Sequence, residues 1–328
     1  MQTALIRQSA AGKRERVATP FETDHNPPIG HAEPLAEGLQ VVTAGNGGPM
    51  TFTGTRSYLL GDAEVAIIDP GPANPAHMAA ITRAIAGRRV SHIIVTHAHQ
   101  DHSPAAKPLG QQHNAPVYGF GAAHAGRSAI MERLATQATL GGAEGIDSSF
   151  SPDITIADGE VVAGNGWALI AHHTPGHLSN HLCFEWLGAN ALFSGDHVMG
   201  WASTLISPPD GDLAAFMSSL NRLESIKATR YFPGHGAPIA DGLQIARHLA
   251  QHRKHRGQQI LSALGHSDAT ALELVNRIYT DTPQALHGAA ARNVFAHLLD
   301  FLQIGLVGHR GALTAESVFY FHKQSLSK

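Results

Sequence analysis

The sequence predicts a layered α/β fold followed by a small, mainly helical domain. Three observations carry this reading. β-Type runs bounded by Gly or Pro recur from Leu39 to Phe232, a segment of helical spacing separates two of them, and after about Ala246 the texture becomes helical. With 328 residues and 43% hydrophobic content, the chain can bury a large core. The expected division is an N-terminal arm over 1–38, a main α/β domain over 39–246 and a C-terminal domain over 247–328.

The first thirty-five residues mix charges with Pro27, Pro28 and Pro34 and show little periodicity, as a surface-packed lead-in would. Strands are expected at Leu39–Val42, at Thr51–Leu60 and at Glu64–Asp69, separated by Gly- and Pro-containing turns. Pro75–Gly87 has Met78, Ile81 and Ile85 on one helical face, and the apolar run His92–Val95 follows it, giving a β-α-β step. Three later β-type runs end in Gly-containing turns that carry His or Asp. Trp167–Ile170 leads into HHTPGH, Ala191–Phe193 into SGDH, and Tyr231–Phe232 into PGHG. In the tail, a helix is expected over Arg247–Leu264, a second capped by Ser267 or Asp268, and a third from Pro283 to about Ile304. A short hairpin through Leu306–Gly311 and Ser317–Phe321 completes a small winged-helix-like domain.

The densest chemical signal is THAHQDH at Thr96–His102, directly after an apolar strand. Imidazole and carboxylate donors suit zinc and neighbouring divalent metals. In an extended segment His97 and His99 point the same way and can grip one ion, while Asp101 and His102, at the turn into the next helix, can face a second. A polar loop that is merely His-rich is the plain alternative in a chain with 23 histidines, but HxHxDH at a strand end is where α/β folds build sites.

Composition narrows the remaining classes. Apolar runs fall short of the roughly 20 residues a bilayer needs, and the first twenty residues carry charges in place of a signal-peptide core. The single Cys183 excludes an internal disulfide and a multi-Cys zinc site, so a cytoplasmic protein is expected. Net charge of -3 gives no global attraction to nucleic acid or to an anionic membrane.

The ordered set HxHxDH, TPGH, SGD and PGH resembles the metallo-β-lactamase fold superfamily over about Leu39–Ala246. The resemblance implies a four-layer αββα sandwich with two divalent metal ions, zinc first, with iron or manganese as alternatives. It implies His97, His99 and His177 on one ion, Asp101, His102 and His235 on the other, and Asp196 bridging both. Asp69 in IIDPG matches an aspartate that orients a ligand histidine. The SGD turn separates the chain from true β-lactamases, and TPGHLSNH is similar to a glyoxalase II segment. HVMGW after Asp196 and GAPI after His235 depart from that enzyme. The architecture as a whole is most similar to the β-lactamase-like protein 2 group, which includes an endoribonuclease.

The implied chemistry is hydrolysis of a small ester or thioester by a hydroxide held between two ions, with Asp101 and Asp196 as catalytic carboxylates and Asp101, a histidine or a water protonating the leaving group. Single-stranded RNA cleavage is the first alternative, kept open by Arg247, Arg253, Lys254 and Arg256 with their neighbouring histidines. A nucleic-acid-binding winged helix is the second, weakened because Arg292 is the one Lys or Arg between Pro283 and Ile304. Iron-based redox chemistry is a third. The C-terminal domain is also expected to serve as scaffold or as a homo-oligomer contact. His181 reads as core or pocket, His172, His173 and His197 as neighbours of the site turns, Cys183 as core, and Trp201 as pocket floor or loop anchor. Gly119–Ser151 and Met199–Asp212 are the expected specificity loops, with Arg127 and Arg133 as the recognisable cations.

Overall fold

The computed structural model describes residues 5–8, 14–17, 20–136 and 145–322. Parts of the expected arm (1–4, 9–13 and 18–19), residues 137–144 of the first specificity loop, and 323–328 lie outside the described residues. A short antiparallel pair, β1 (Leu5–Gln8) and β2 (Arg14–Val17), comes first. Next, β3 (Ala32–Ala36), β4 (Leu39–Thr43), β5 (Arg56–Leu60) and β6 (Glu64–Ile68) form an antiparallel meander. Helix α1 (Pro75–Ile85) crosses to β7 (Arg89–Ile94), which lies parallel to β6. Helix α2 (Ala106–His113), β8 (Val117–Gly119), α3 (Ala129–Ala135) and β9 (Ile154–Thr155) complete a seven-stranded sheet whose strands lie in chain order.

The second sheet has five strands: β10 (Val161–Gly164), β11 (Trp167–His173), β12 (Leu182–Trp186) and β13 (Ala191–Gly195) are antiparallel, and after α4 (Leu213–Leu223) comes β14 (Arg230–Pro233), parallel to β13. Helices α5 (Gly242–His266), α6 (Ala271–Ile278) and α7 (His287–Gln303), then the hairpin β15 (Val307–His309) and β16 (Phe319–Phe321), form the C-terminal unit.

Side-chain alternation along the strands explains the layering. Val42, Leu59, Val65, Ile67 and Ile93 face outward onto α1 and α2 with Ile81, Ile85 and Leu109. Their strand neighbours Val41, Tyr58, Leu60, Ala66, Ile68 and Ile94 face inward and meet Leu182, Phe184, Phe193 and Phe232 of the second sheet. Cys183, Leu192 and Tyr231 point to the far side, against Phe216, Leu220 and Leu249 of α4 and α5. The order is helices, sheet, sheet, helices, as the four-layer expectation requires. A separate core joins α6, α7 and the terminal hairpin to Ile260 and Leu264 of α5 and to Met131 and Leu134 of α3.

Several local expectations need correction. The strand expected over Thr51–Leu60 begins only at Arg56, because Phe52 adopts φ 51° and Gly54 N–H donates to Thr51 O, making Thr51–Thr55 a turn. Ala32–Ala36 already pairs with β4, ahead of the expected start at Leu39. Helix α5 begins at Gly242 because Asp241 caps it through Gln244 N–H, so the expected division after Ala246 falls inside a helix. The cap of α6 is Thr270, in a reciprocal capping box with Glu273, and not Ser267 or Asp268, since Ser267 N–H still closes the last turn of α5 onto Ala263 O. The third helix proper starts at His287, after a single 3-10 turn at Gln284–Leu286. Among the described residues no helix is long and apolar enough to cross a membrane.

Phe193 tests the shared inter-sheet core. Its ring lies 5.2 Å from Tyr58 and 5.4 Å from Phe232 and is 1% exposed. We expect Phe193→Ala to lower unfolding free energy by about 3–5 kcal/mol in urea titrations at fixed metal content. A loss below about 1 kcal/mol would contradict a close-packed interface between the sheets.

Candidate metal centre

The seven residues expected to bind metal come together at one end of the two sheets, where β6, β7, β13 and β14 all end. Their donor atoms form two sets. His97 Nε2 and His177 Nε2 lie 2.9 Å and 3.0 Å from His99 Nδ1, and 4.0 Å and 3.6 Å from Asp196 Oδ2. In the second set His235 Nε2 lies 3.1 Å from Asp101 Oδ2, 3.2 Å from His102 Nε2 and 3.4 Å from Asp196 Oδ2, while His102 Nε2 lies 3.5 Å from Asp196 Oδ1. A tetrahedral zinc with bonds of about 2.0–2.1 Å has ligand–ligand edges of about 3.3–3.4 Å. The observed separations bracket that edge.

Hydrogen bonds behind the donors fix their tautomers. Asp69 Oδ1 accepts Thr96 N–H at 2.7 Å, and Asp69 Oδ2 accepts the Thr96 hydroxyl at 2.8 Å and His102 Nδ1–H at 2.9 Å. With its proton given to Asp69, the Thr96 hydroxyl accepts from His97 Nδ1–H at 2.9 Å. His177 Nδ1–H donates to Leu205 O at 2.8 Å and His235 Nδ1–H to Gly54 O at 3.3 Å. Each of these four rings therefore presents Nε2 to the centre. His99 alone turns Nδ1 inward.

Two glycines permit the close approach. Gly195 has φ 48°, and a Cβ there would lie 2.5 Å from His181 Nε2. At Gly234 a Cβ would collide with Asp196 Oδ1 and stand 2.7 Å from His102 Cε1. Asp196 Oδ1 is buried and has no hydrogen-bond partner among the described residues. An ionised oxygen in that position needs a cation or a proton nearby.

The site's electrostatics point the same way. Burial holds His97 well below the usual histidine value, helped by His102 and His99, and pushes His99 down to about 3. Burial alone would raise Asp101 and Asp196, but the adjacent His102 and His235 hold both well below the carboxylate range. The reverse applies to those two histidines: burial disfavours their charge, yet the carboxylates win, lifting His102 well above its ordinary value and His235 to about 9. Protons on two rings balance the carboxylates where divalent cations would otherwise do so.

Sequence reasoning missed several supporting residues. Thr55 Oγ1 donates to Asp101 Oδ2 at 3.3 Å and accepts from Asn46 Nδ2 at 2.9 Å. His181 is a satisfied core histidine that also steadies the site, since its Nε2 accepts Asp196 N–H at 3.2 Å and its Nδ1–H donates to Thr174 Oγ1 at 2.9 Å. The core position expected as one reading of His181 holds, motif adjacency is the available signal for Thr96, and none exists for the Leu205 carbonyl. His172 pairs with Glu185 at 3.1 Å and His173 stacks on Phe120 at 3.8 Å, both away from the donor atoms. His197 packs at a tilt against Phe216 at 4.6 Å. Cys183 is buried, as expected of core packing. Trp201 stacks on Phe52 at 4.9 Å and abuts Gly236, the residue after His235. Arg127 is engaged by Asp210 and lies 3.9 Å from Glu132.

The basic cluster on α5 is largely engaged within the chain. Arg253 and Arg256 are 3% and 7% exposed, Arg256 lies 3.8 Å over the Tyr279 ring, and Arg247 is paired with Glu224. Arg253 and Arg256 therefore support packing, while Arg247 forms a surface ion pair.

Residues 50–235 match the metallo-beta-lactamase superfamily and residues 270–315 the beta-lactamase associated winged helix domain. The chain is 29% identical to a beta-lactamase-like protein 2 homolog of Caenorhabditis elegans, over 86% of this chain and 90% of that one. It is also 29% identical to an atrochrysone carboxyl ACP thioesterase of Aspergillus fumigatus, over 78% of each. Among solved structures, a metallo-beta-lactamase family protein from Thermus thermophilus is similar with TM-score 0.70 and 25% identity, covering 88% of this chain and 99% of that one.

The charge pattern predicts a stability optimum for the metal-free protein. Groups held low, namely His97, His99 and His177, contribute nothing above their ordinary 6.5, where they are neutral in folded and unfolded chains alike, and oppose folding as pH falls below that value. His235, raised to about 9, favours folding below 6.5 and loses that contribution as pH rises through about 9. Chelator-treated protein should therefore show its highest urea midpoint between these limits. A midpoint that climbs steadily from pH 7 to pH 10 would contradict the assignment of protons to His102 and His235.

Proposed function

We propose a function from one premise: the chain belongs to the metallo-beta-lactamase superfamily, and carries the winged-helix domain associated with it. It is a metal-dependent hydrolase, and we read its substrates as small esters or thioesters and its cofactor as a pair of divalent cations. One observation carries this reading, the position of the Asp196 carboxylate between both donor sets, its Oδ2 within 3.6 Å of His177 Nε2 and 3.4 Å of His235 Nε2 and its buried Oδ1 3.5 Å from His102 Nε2 without a hydrogen bond among the described residues. His97, His99 and His177 would hold one cation, Asp101, His102 and His235 the other, with Asp196 shared. A donor set of imidazole and carboxylate without thiolate suits zinc first, with iron or manganese as alternatives. When bound, such a pair supplies Lewis acidity to the scissile carbonyl and activates a water for attack.

The chain's own residues supply the rest. Asp69, Thr96 and the Leu205 carbonyl keep protons on the Nδ1 atoms of His102, His97 and His177, so that Nε2 faces inward without them. The ionised Asp101 side chain is 25% exposed and is steadied by Thr55, which suits it to accept the proton given up by the attacking water and hand it to the leaving oxygen or sulfur at the mouth of the centre. A thioester substrate is supported by the relative named as a thioesterase. The burial of Arg253 and Arg256 weighs against RNA.

Metal analysis after metal-replete expression should find close to two ions per chain. Asp196→Ala should lower that number and reduce thioester kcat/KM by more than about 100-fold. Retained activity in this variant, or efficient cleavage of single-stranded RNA at physiological salt with no turnover across a thioester and ester panel, would refute the proposal.

A further inference from the structure

Between β13 and α4 the chain runs without regular structure past the donor atoms, and its buried polar groups need partners that no β-ladder supplies. Thr204 and Ile206 in this stretch are fully buried. On the catalytic side, Leu205 O accepts His177 Nδ1–H at 2.8 Å, and Thr204 Oγ1 donates to Asp196 O at 2.9 Å. From the opposite side the stretch is held by the C-terminal helices. Ile206 N–H donates to Asn293 Oδ1 at 3.0 Å, and Arg253 Nη1 donates to the same oxygen at 2.9 Å while its Nη2 reaches Thr204 O. Arg292 adds bonds from Nε to Ser207 Oγ and from Nη2 to Pro208 O, each 2.8 Å.

Leu205 C=O and Ile206 N–H are the two ends of a single peptide plane. That plane is rigid and trans, so the two groups point in opposite directions and cannot turn independently. Asn293 grips one end and His177 is steered by the other. We infer that Asn293, held in place by Arg253, is a positioning residue for the metal centre: the winged-helix unit sets the orientation and tautomer of His177 through the Leu205–Ile206 peptide. The inference rests on the reading of His177 as a cation ligand.

The test is metal affinity by chelator competition, with the absorption spectrum of the Co²⁺-loaded protein as a report on ligand geometry, on full-length variants. Asn293→Leu removes the acceptor; Asn293→Asp keeps an oxygen for Ile206 N–H and faces it with the Arg253 cation. Leu298→Ala, in the C-terminal core and remote from the stretch, controls for general destabilisation. We expect Asn293→Leu to weaken one of the two ions by about 10–100-fold and to alter the Co²⁺ spectrum. Asn293→Asp should restore both, and Leu298→Ala should leave both as in the parent. Should Asn293→Leu fail to fold, Arg253→Lys replaces it, since lysine cannot span Thr204 O and Asn293 Oδ1 together, and a smaller loss at the same ion is expected. Parent-like affinities in Asn293→Leu or in its Arg253→Lys substitute, or an equal loss in Leu298→Ala, would overturn this inference while a parent holding two ions left the functional reading intact. A parent that binds no cation would overturn both.

Discussion

The centre is organised by a carboxylate that donates nothing to the inner cluster. Asp69 accepts three hydrogen bonds, from Thr96 N–H, Thr96 Oγ1–H and His102 Nδ1–H, within 2.7–2.9 Å. Burying an acid is costly unless its oxygens are hydrogen-bonded, and here both are. The result is a tie between the ends of β6 and β7 that commits His102 and, through the Thr96 hydroxyl, His97 to one tautomer each. Each donor set thus depends on one residue outside it. That Asp69 sits at φ 51° is consistent with a backbone bent to bring the carboxylate into this position.

Parallel pairing of β6 with β7 and of β13 with β14 explains why the donors converge. Parallel neighbours end on the same edge, so the turns after Ile68, Ile94, Gly195 and Pro233 lie side by side once the sheets are stacked. His181 shows how finely this edge is divided. It follows His177 by four residues, yet Leu182 N–H already bonds Thr96 O as β12 begins, and the His181 ring lies under the Asp196 turn, 5.0 Å from the His97 ring, with its Nε2 committed to Asp196 N–H.

Much of this was legible in the chain itself, because layering follows from strand alternation and the site from short turns whose Gly and His are local signals. The seven donors fall in four such turns. What escaped reading had no local signal, as with the Leu205 carbonyl, or had one that was overridden. Thr51–Phe52 has strand-like composition but is drawn into the turn that delivers Thr55 to Asp101. The cations of α5 are the instructive case. Leu249, Arg253, Arg256, Ile260 and Leu264 are spaced by four, three, four and four, a single buried stripe. That spacing carries the two arginines onto the buried face despite their charge.

Helix α5 belongs to two cores at once. Ile245, Ala246 and Leu249 pack under the second sheet, while Ile260 and Leu264 belong to the C-terminal cluster. At about 1.5 Å per residue its 25 residues make a rod of roughly 37 Å with no Pro in it. A rod embedded at both ends is a splint, so a load on the C-terminal core is carried along the helix to the residues that pack under the second sheet.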